Sequence, residues 1–131
     1  MQFAEQHNVR YSADFRFPAS LGIDAFDIGI ILHNAGQNAI EAARRAEDPW
    51  VRVESRVHHK TVLIDISNSC GEPVNINPET GRPDTVKSSG HGIGLRNIES
   101  AAEKYSGDVQ ITAGPDTFML SIFLSAPSAH C

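Results

Sequence analysis

The sequence is poor in cysteine and has no long apolar run. Its 131 residues include two cysteines, Cys70 and Cys131, and neither lies in a Cys-x-x-Cys pair. A disulfide scaffold and a structural zinc site are therefore not expected. The longest apolar stretches, such as 28–32 and 118–124, are far shorter than the roughly 20 residues of a membrane span. Since the N-terminus also lacks a basic-then-apolar leader, the sequence predicts a cytoplasmic domain that does not itself contact a membrane.

Basic clusters are missing as well. The chain carries 11 Lys and Arg residues against 16 Asp and Glu residues, which gives a formal net charge of -5 at pH 7. A nucleic-acid partner would meet a repulsive field, so none is expected. The remaining composition, with 40% hydrophobic and 21% charged residues, is ordinary for a globular protein. Because the length fits one compact domain, we expect residues 1–131 to form a single domain.

The periodicity of apolar residues predicts the secondary structure. Alternation, which is typical of strands, occurs at 9–17, 50–57, 61–67, 109–113 and 118–124. Spacings of three and four, which are typical of helices, occur at 23–46 behind the N-cap Asp24 and at 93–105 before the helix stop Gly107. This order of elements predicts an α+β fold, a two-layer sandwich in which helices cover one face of one sheet.

A long polar segment interrupts this pattern. Residues 71–90 are rich in Gly, Pro, Asn, Asp, Thr and Ser, and they show almost no periodicity. Long irregular loops in compact domains are usually lids or binding loops. We therefore expect a lid over about residues 71–91, with functional residues at its borders.

The first polar motif lies on the predicted long helix. Asn34 and Asn38 are four residues apart, so they project from the same face, next to the apolar stripe. A buried amide without a partner costs about 1–3 kcal/mol, so both side chains need partners. A ligand or a neighbouring loop could supply them, and the two residues alone favour the loop.

The second motif, residues 64–71, ends a predicted strand and enters the lid. The carboxamide of Asn68 offers both a donor and an acceptor, which suits the recognition of a base edge. Asn and Ser are also ordinary residues at the start of a loop, so turn formation explains this motif nearly as well.

The third motif, residues 89–95, leads from the lid into the second helix with the sequence Ser-Gly-His-Gly-Ile-Gly-Leu. Glycines allow backbone N–H groups to approach an anion closely, and the dipole of a helix N-terminus favours phosphate. The spacing matches neither the Rossmann G-x-G-x-x-G motif nor the P-loop. The alternative is a flexible loop that ends in glycine.

Taken together and in this order, the three motifs resemble the N, G1 and G2 boxes of the GHKL superfamily, which comprises DNA gyrase, the 90-kDa heat-shock chaperones, histidine kinases and mismatch-repair ATPases. The resemblance spans nearly the whole chain. It is closest to sensor histidine kinases of the Agr-type peptide-receptor group, in which N-A-I-E-A, N-S-C and H-G-I-G-L occur together. It implies a histidine-kinase-like ATP-binding domain over residues 1–131 with a Bergerat-type fold, one mixed sheet covered on one face by helices.

The resemblance implies roles for the two helical asparagines. Asn38 falls on the asparagine that coordinates the Mg2+ bridging the ATP phosphates. Asn34 falls where the hydrolytic members, gyrase and the chaperones, have a glutamate that activates water. Because no carboxylate stands there, the resemblance implies transfer of the γ-phosphoryl group to another acceptor, and it makes Asn34 a catalytic candidate.

The resemblance also implies roles around the lid. Asn68 falls on the G1 aspartate that contacts the adenine amino group, and Cys70 replaces the usual glycine of that motif. Lys87 lies in the lid where it would reach the phosphates, so it is both a binding and a catalytic candidate. The other implied nucleotide contacts are Gly90, His91, Gly92, Ile93, Gly94, Leu95 and Thr117.

The implied function is that of the ATP-binding catalytic domain of a two-component sensor histidine kinase. Its ligands would be ATP or ADP with Mg2+, and its partners a histidine-bearing dimerisation segment and a response regulator. Too little chain precedes Val9 to hold the acceptor histidine, so we expect the cytosolic part of a longer, membrane-anchored receptor, with a freestanding protein as the alternative. A non-catalytic nucleotide-binding docking scaffold and an anti-sigma-factor-type serine kinase are the alternatives. Asn34 argues against the serine kinase, whose relatives usually keep the glutamate.

Overall fold

The computed structural model describes residues 8–16, 21–71, 76–79, 82–83 and 91–125. Its elements follow the predicted order. They are β1 (Arg10–Asp14), α1 (Ala25–Ala43), β2 (Trp50–His58), β3 (Thr61–Ser69), β4 (Ile76–Asn77), β5 (Arg82–Pro83), α2 (His91–Glu103), β6 (Asp108–Ala113) and β7 (Thr117–Ser125).

Five strands form one mixed sheet in the order β1-β2-β3-β7-β6. Strand β1 pairs in parallel with β2, and the other neighbours pair antiparallel. Because alternate side chains of a strand share a face, every second residue turns toward the core. In β3 this face carries Val62, Ile64 and Ile66, which are paired in register with three buried residues of β7.

Both helices cover this one face. Helix α1 begins behind Asp24, whose carboxylate accepts a hydrogen bond from the Phe26 N–H at 2.8 Å. Ile28 and Ile31 of α1 and Ile98 of α2 belong to the same buried cluster as the strand residues. Burial of one such side chain contributes about 1.5–3 kcal/mol, more than helix propensity supplies, so apolar packing holds the helices on the sheet. The predicted α+β sandwich is confirmed. Among the described residues, a helix with the length and hydrophobicity of a membrane span is not found.

The segment predicted as an irregular lid contains a short paired structure. Ile76 pairs with Pro83, and Asn77 pairs with Arg82, in an antiparallel two-stranded sheet. Two-residue strands have no readable alternation, because that signal needs at least about four residues. The prediction of a wholly irregular lid is therefore corrected at β4 and β5.

The end of α2 differs in detail from the predicted glycine stop. Ser106, and not Gly107, takes the left-handed conformation with φ 53°. The Gly107 N–H donates to the Ala102 carbonyl at 2.8 Å. A Cβ at Gly107 would lie 1.9 Å from the Phe123 carbonyl oxygen, so close packing against β7 requires this glycine.

Candidate functional site

The two helices run antiparallel over the sheet. The start of α1 lies against the end of α2, where Lys104 Nζ is 3.0 Å from the Asp27 carboxylate. Because the helices pack along each other, the start of α2 is directed toward the later half of α1. That half carries Asn34 and Asn38, so the first and third sequence motifs approach the same end of the helix pair.

The second motif lies at this end as well. Ser69 at the end of β3 pairs with Thr117 at the start of β7. A Cβ at Gly71 would lie 2.6 Å from the Arg45 carbonyl oxygen, so the chain that leaves β3 contacts the chain that leaves α1. We call this region, from Asn68 to Gly71 together with Thr117, the Asn68 edge. It brings together two segments that are far apart in the sequence.

Asn68 is a buried amide with defined partners. It continues the core-facing stripe of β3 beyond Ile66, and only 1% of its surface is exposed. Its Nδ2 donates to the Ser69 carbonyl at 2.9 Å and to Cys70 Sγ at 3.6 Å. None of the described residues donates a hydrogen bond to its Oδ1. Because its nitrogen donates within the chain, the side chain can present its oxygen as an acceptor, as the recognition of an amino group requires.

Cys70 is fixed beside this amide. Its N–H donates to the Asp116 carbonyl at 2.8 Å, which ties the residue to the turn between β6 and β7. Burial raises the pKa of the Cys70 thiol above its ordinary value, although the hydrogen bond from Asn68 opposes this shift. The sulfur is therefore a neutral thiol at physiological pH and a weak hydrogen-bond acceptor.

Asn34 and Asn38 are both half-buried on α1. The Asn34 Nδ2 donates to the Ile30 carbonyl one turn earlier at 2.8 Å. This intrahelical bond uses the amide nitrogen, and among the described residues no donor to the amide oxygen is seen. The described residues provide no hydrogen bond to the Asn38 amide. Both side chains thus offer amide oxygens, the type of ligand that Mg2+ accepts together with phosphate oxygens.

The remaining predicted site residues divide into three groups. Leu95 and Thr117 are half-buried, and Leu95 packs against the core cluster. His91, Gly92, Ile93 and Gly94 form the first turn of α2, earlier than the predicted helix start at residue 93. This places their backbone at the N-terminal end of a helix, as the phosphate-binding prediction requires. Lys87 and Gly90 lie outside the described residues.

A polar cluster at the opposite end of the helix pair was not predicted from the sequence. The Tyr105 hydroxyl donates to the Asp27 carboxylate and accepts a hydrogen bond from the Asp24 N–H at 2.9 Å. We call Asp24, Asp27, Lys104 and Tyr105 the helix clamp. A possible sequence signal is the acidic residue in the first turn of α1, but its partners come from residues about 80 positions away.

The clamp changes the ionisation of its own members. The Tyr105 hydroxyl, and Lys104 after it, hold the pKa of Asp27 below its ordinary value, although burial acts in the opposite direction. Burial, and after it the Asp27 carboxylate, raise the pKa of Tyr105. The same carboxylate raises the pKa of Lys104. These pKa shifts agree with an Asp27 carboxylate that stays ionised and accepts the hydrogen bond of Tyr105 and the ion pair of Lys104.

A metal site built from the protein alone is not seen in the part of the chain that the structure describes. No group of three or more His, Cys, Asp or Glu side chains could hold a metal ion there. A divalent cation beside Asn34 and Asn38 would therefore need ligand oxygens from a bound phosphate in addition to the asparagine amides.

Comparison with known proteins identifies relatives of this arrangement. A model of the GHKL domain matches residues 23–125. No curated protein matches the chain by sequence.

Several solved structures share the fold. The Acinetobacter baumannii histidine kinase AdeS superposes with a TM-score of 0.71 at 17% identity, over 97% of this chain and 59% of AdeS. The catalytic domain of histidine kinase ThkA gives a TM-score of 0.70 at 18% identity, over 95% of this chain and 85% of that domain. Full-length ShkA in complex with AMPPNP gives a TM-score of 0.70 at 15% identity, over 96% of this chain and 28% of ShkA. The chain thus spans only part of AdeS and ShkA.

Proposed function

Since the chain belongs to the GHKL domain family, we propose that it is the ATP-binding catalytic domain of a two-component sensor histidine kinase. Residues 1–131 act as one such domain, with the lid over about residues 71–91. The domain binds Mg-ATP at the Asn68 edge and transfers the γ-phosphoryl group to a histidine on a separate dimerisation segment. A response regulator then accepts the phosphoryl group.

One observation supports this proposal most directly: the Asn68 edge, the later half of α1 with its two asparagines, and the start of α2 lie at the same end of the helix pair. The contact between Gly71 and Arg45 joins the end of β3 to the end of α1. The pairing of Ser69 with Thr117 joins it to the start of β7. The antiparallel helices direct the glycine-containing start of α2 toward the half of α1 that carries the asparagines. This arrangement supports a single site with a base-binding end at Asn68 and a phosphate-binding end at the start of α2.

The chemistry follows from the donors and acceptors at each end. Asn68 Oδ1 accepts a hydrogen bond from the adenine amino group. Backbone N–H groups at the start of α2 donate to phosphate oxygens, and the helix dipole adds favourable potential. Asn38, with Asn34 beside it, would hold Mg2+ through amide oxygens. When bound, the ion neutralises charge on the phosphates and orients them for in-line transfer.

The absence of a carboxylate at position 34 favours transfer over hydrolysis. The Asn34 amide donates to the Ile30 carbonyl, and its remaining oxygen is a poor base. Activation of water needs a group of suitable pKa within hydrogen-bond reach. We therefore propose that the acceptor imidazole, supplied by another segment, is the nucleophile, with Lys87 contacting the phosphates from the lid.

Mg-ATP binding is the first test. Free ligand at about 100 times its dissociation constant should add about 2.7 kcal/mol to the free energy of unfolding. The increase should be visible as a rise in the thermal midpoint with Mg-ATP or Mg-ADP. A folded protein whose midpoint does not respond to millimolar Mg-ATP would contradict the proposal.

Phosphoryl transfer is the second test. The domain, mixed with the histidine-bearing segment of its full-length protein, should label that histidine slowly from radioactive ATP. A histidine-to-alanine variant of the segment is the matched control and should stay unlabelled. A domain that binds Mg-ATP but never labels the segment, even when the two are tethered, would indicate a docking scaffold.

A further inference from the structure

The amide of Asn68 is held by two acceptors on its nitrogen side. A primary amide nitrogen carries two hydrogens, and the Ser69 carbonyl and Cys70 Sγ accept from it at 2.9 and 3.6 Å. The side chain is 1% exposed, so water cannot readily replace either partner. Both hydrogens are thus used within the chain.

These contacts decide which way the amide points. The Ser69 carbonyl oxygen only accepts hydrogen bonds, so the atom that faces it must be the nitrogen of Asn68. A flipped amide would bring two carbonyl oxygens together and would leave two buried N–H groups to find new partners. The oxygen of the side chain therefore lies on the side away from Ser69 and Cys70.

The orientation matters because the side chain is an asparagine. A carboxylate at this position can only accept, and it selects a donor whichever way it turns. An amide can present either its oxygen or its nitrogen. Adenine carries an amino donor at the position where guanine carries a carbonyl acceptor. An amide that was free to flip could therefore bind both bases.

We propose that Cys70 is a base-specificity residue, because its sulfur is the second acceptor beside the Ser69 carbonyl, strengthens the orientation in which the Asn68 oxygen faces the nucleotide, and thereby favours adenine over guanine. This inference rests on the proposed nucleotide site and adds a positioning role for the thiol. Cys70 is suited to that role since Asp116 fixes its backbone and the contact of Gly71 with Arg45 fixes the chain that follows.

The experiment measures the dissociation constants of Mg-ATP and Mg-GTP by titration calorimetry on the whole chain. Wild type should prefer ATP. Cys70→Ala removes one acceptor and should lower the GTP-to-ATP ratio of dissociation constants by about threefold to tenfold, the equivalent of one modest hydrogen bond. Cys70→Ser keeps an acceptor at this position and should retain most of the preference.

The Asn68→Asp background supplies the decisive control. A carboxylate has no donor for Cys70 to hold, so Cys70→Ala should leave the GTP-to-ATP ratio unchanged there. An unchanged ratio in the Asn68 background, or an equal fall in both backgrounds, would overturn the proposal. Failure of wild type to bind Mg-ATP would instead contradict the proposed function. Failure of the specificity proposal and failure of the proposed function are therefore distinguishable.

A readout without nucleotide protects against a variant that folds poorly. In wild type the two Nδ2 protons of Asn68 should exchange slowly with water and should show distinct NMR shifts. In Cys70→Ser the same protons should stay protected, with the shift of one moved by the new acceptor. Rapid exchange of both protons in wild type would contradict the orientation that the proposal requires.

Discussion

The phenol of Tyr105 donates a hydrogen bond to the buried carboxylate of Asp27, and it accepts one from the Asp24 N–H at 2.9 Å. These contacts join the residue just beyond α2 to the N-cap and the first turn of α1. The carboxylate also meets the favourable dipole at the start of α1. The helix clamp therefore fixes the spacing of the two helices at the end opposite the Asn68 edge.

Removal of the Tyr105 hydroxyl should destabilise the fold. Tyr105→Phe keeps the buried ring but removes both hydrogen bonds, and a buried partner left unsatisfied costs about 1–3 kcal/mol. We expect a loss of that size in the free energy of unfolding by urea. Tyr11→Phe is the matched control, because the described residues give the half-buried Tyr11 hydroxyl no partner. Equal losses in the two variants would show that the clamp adds nothing.

The clamp should also make stability depend on acidic pH. A carboxyl whose pKa is lower in the folded than in the unfolded chain stabilises the fold above its unfolded pKa of about 3.9. That stability is lost as the pH falls through the lowered folded pKa. Asp27→Asn should therefore lower the free energy of unfolding near neutral pH, and its deficit relative to wild type should shrink below about pH 4.

Urea midpoints measured between about pH 7 and pH 3 would check this dependence. Asp48→Asn is the control, since the ion pair of Asp48 with Arg10 at 2.7 Å lies at an exposed position. Exposed pairs contribute about 0–1 kcal/mol, so this variant should differ little from wild type. A deficit of Asp27→Asn that stays constant down to the lowest pH would contradict the lowered pKa.

The clamp illustrates what the sequence could not predict. The apolar spacing of α1 and the cap at Asp24 are local signals, and both predict this helix correctly. The partner of Asp27 is set by the antiparallel packing of two helices, which no local pattern encodes. The parallel pairing of β1 with β2 is likewise not encoded in a local pattern, because it joins strands separated by the whole of α1.

In the candidate site, too, local motifs predict some features and tertiary packing decides the others. Motif spacing and chain order are enough to predict Asn34, Asn38 and Asn68 as candidate site residues. The use of the Asn34 amide by the Ile30 carbonyl, and of the Asn68 amide by Ser69 and Cys70, depends on side-chain conformations. Such conformations follow from packing and not from residue type.

Two glycines should respond oppositely to alanine. A Cβ at Gly107 would lie 1.9 Å from the Phe123 carbonyl oxygen, so Gly107→Ala must shift the backbone of β7. We expect a loss of at least about 1–3 kcal/mol in the free energy of unfolding. A Cβ at Gly29, an exposed position in α1, meets nothing within 4 Å. Gly29→Ala should gain about 0.5–1 kcal/mol through helix propensity, and a loss there would mean that the glycine has another role.

The last prediction concerns Asn38 and the metal dependence of nucleotide binding. Asn38 is half-buried, and the described residues provide no hydrogen bond to its amide, so truncation should cost the fold little. If the amide oxygen holds Mg2+ on the phosphates, Asn38→Ala should weaken binding of Mg-ATP by at least the roughly 10–100-fold that is typical when a supporting residue of a metal site is lost. Binding of ATP with excess chelator should hardly change, because the contacts to the base and to the helix N-terminus remain.

Gln37→Ala, one residue earlier on the same helix, is the control, since its side chain projects about 100° away around the axis. Titration calorimetry with and without Mg2+ separates the metal-dependent part of the binding free energy from the metal-independent part. Equal losses for Mg-ATP and metal-free ATP would show that Asn38 contacts the nucleotide directly or supports the fold, and that the metal ligand must be sought elsewhere.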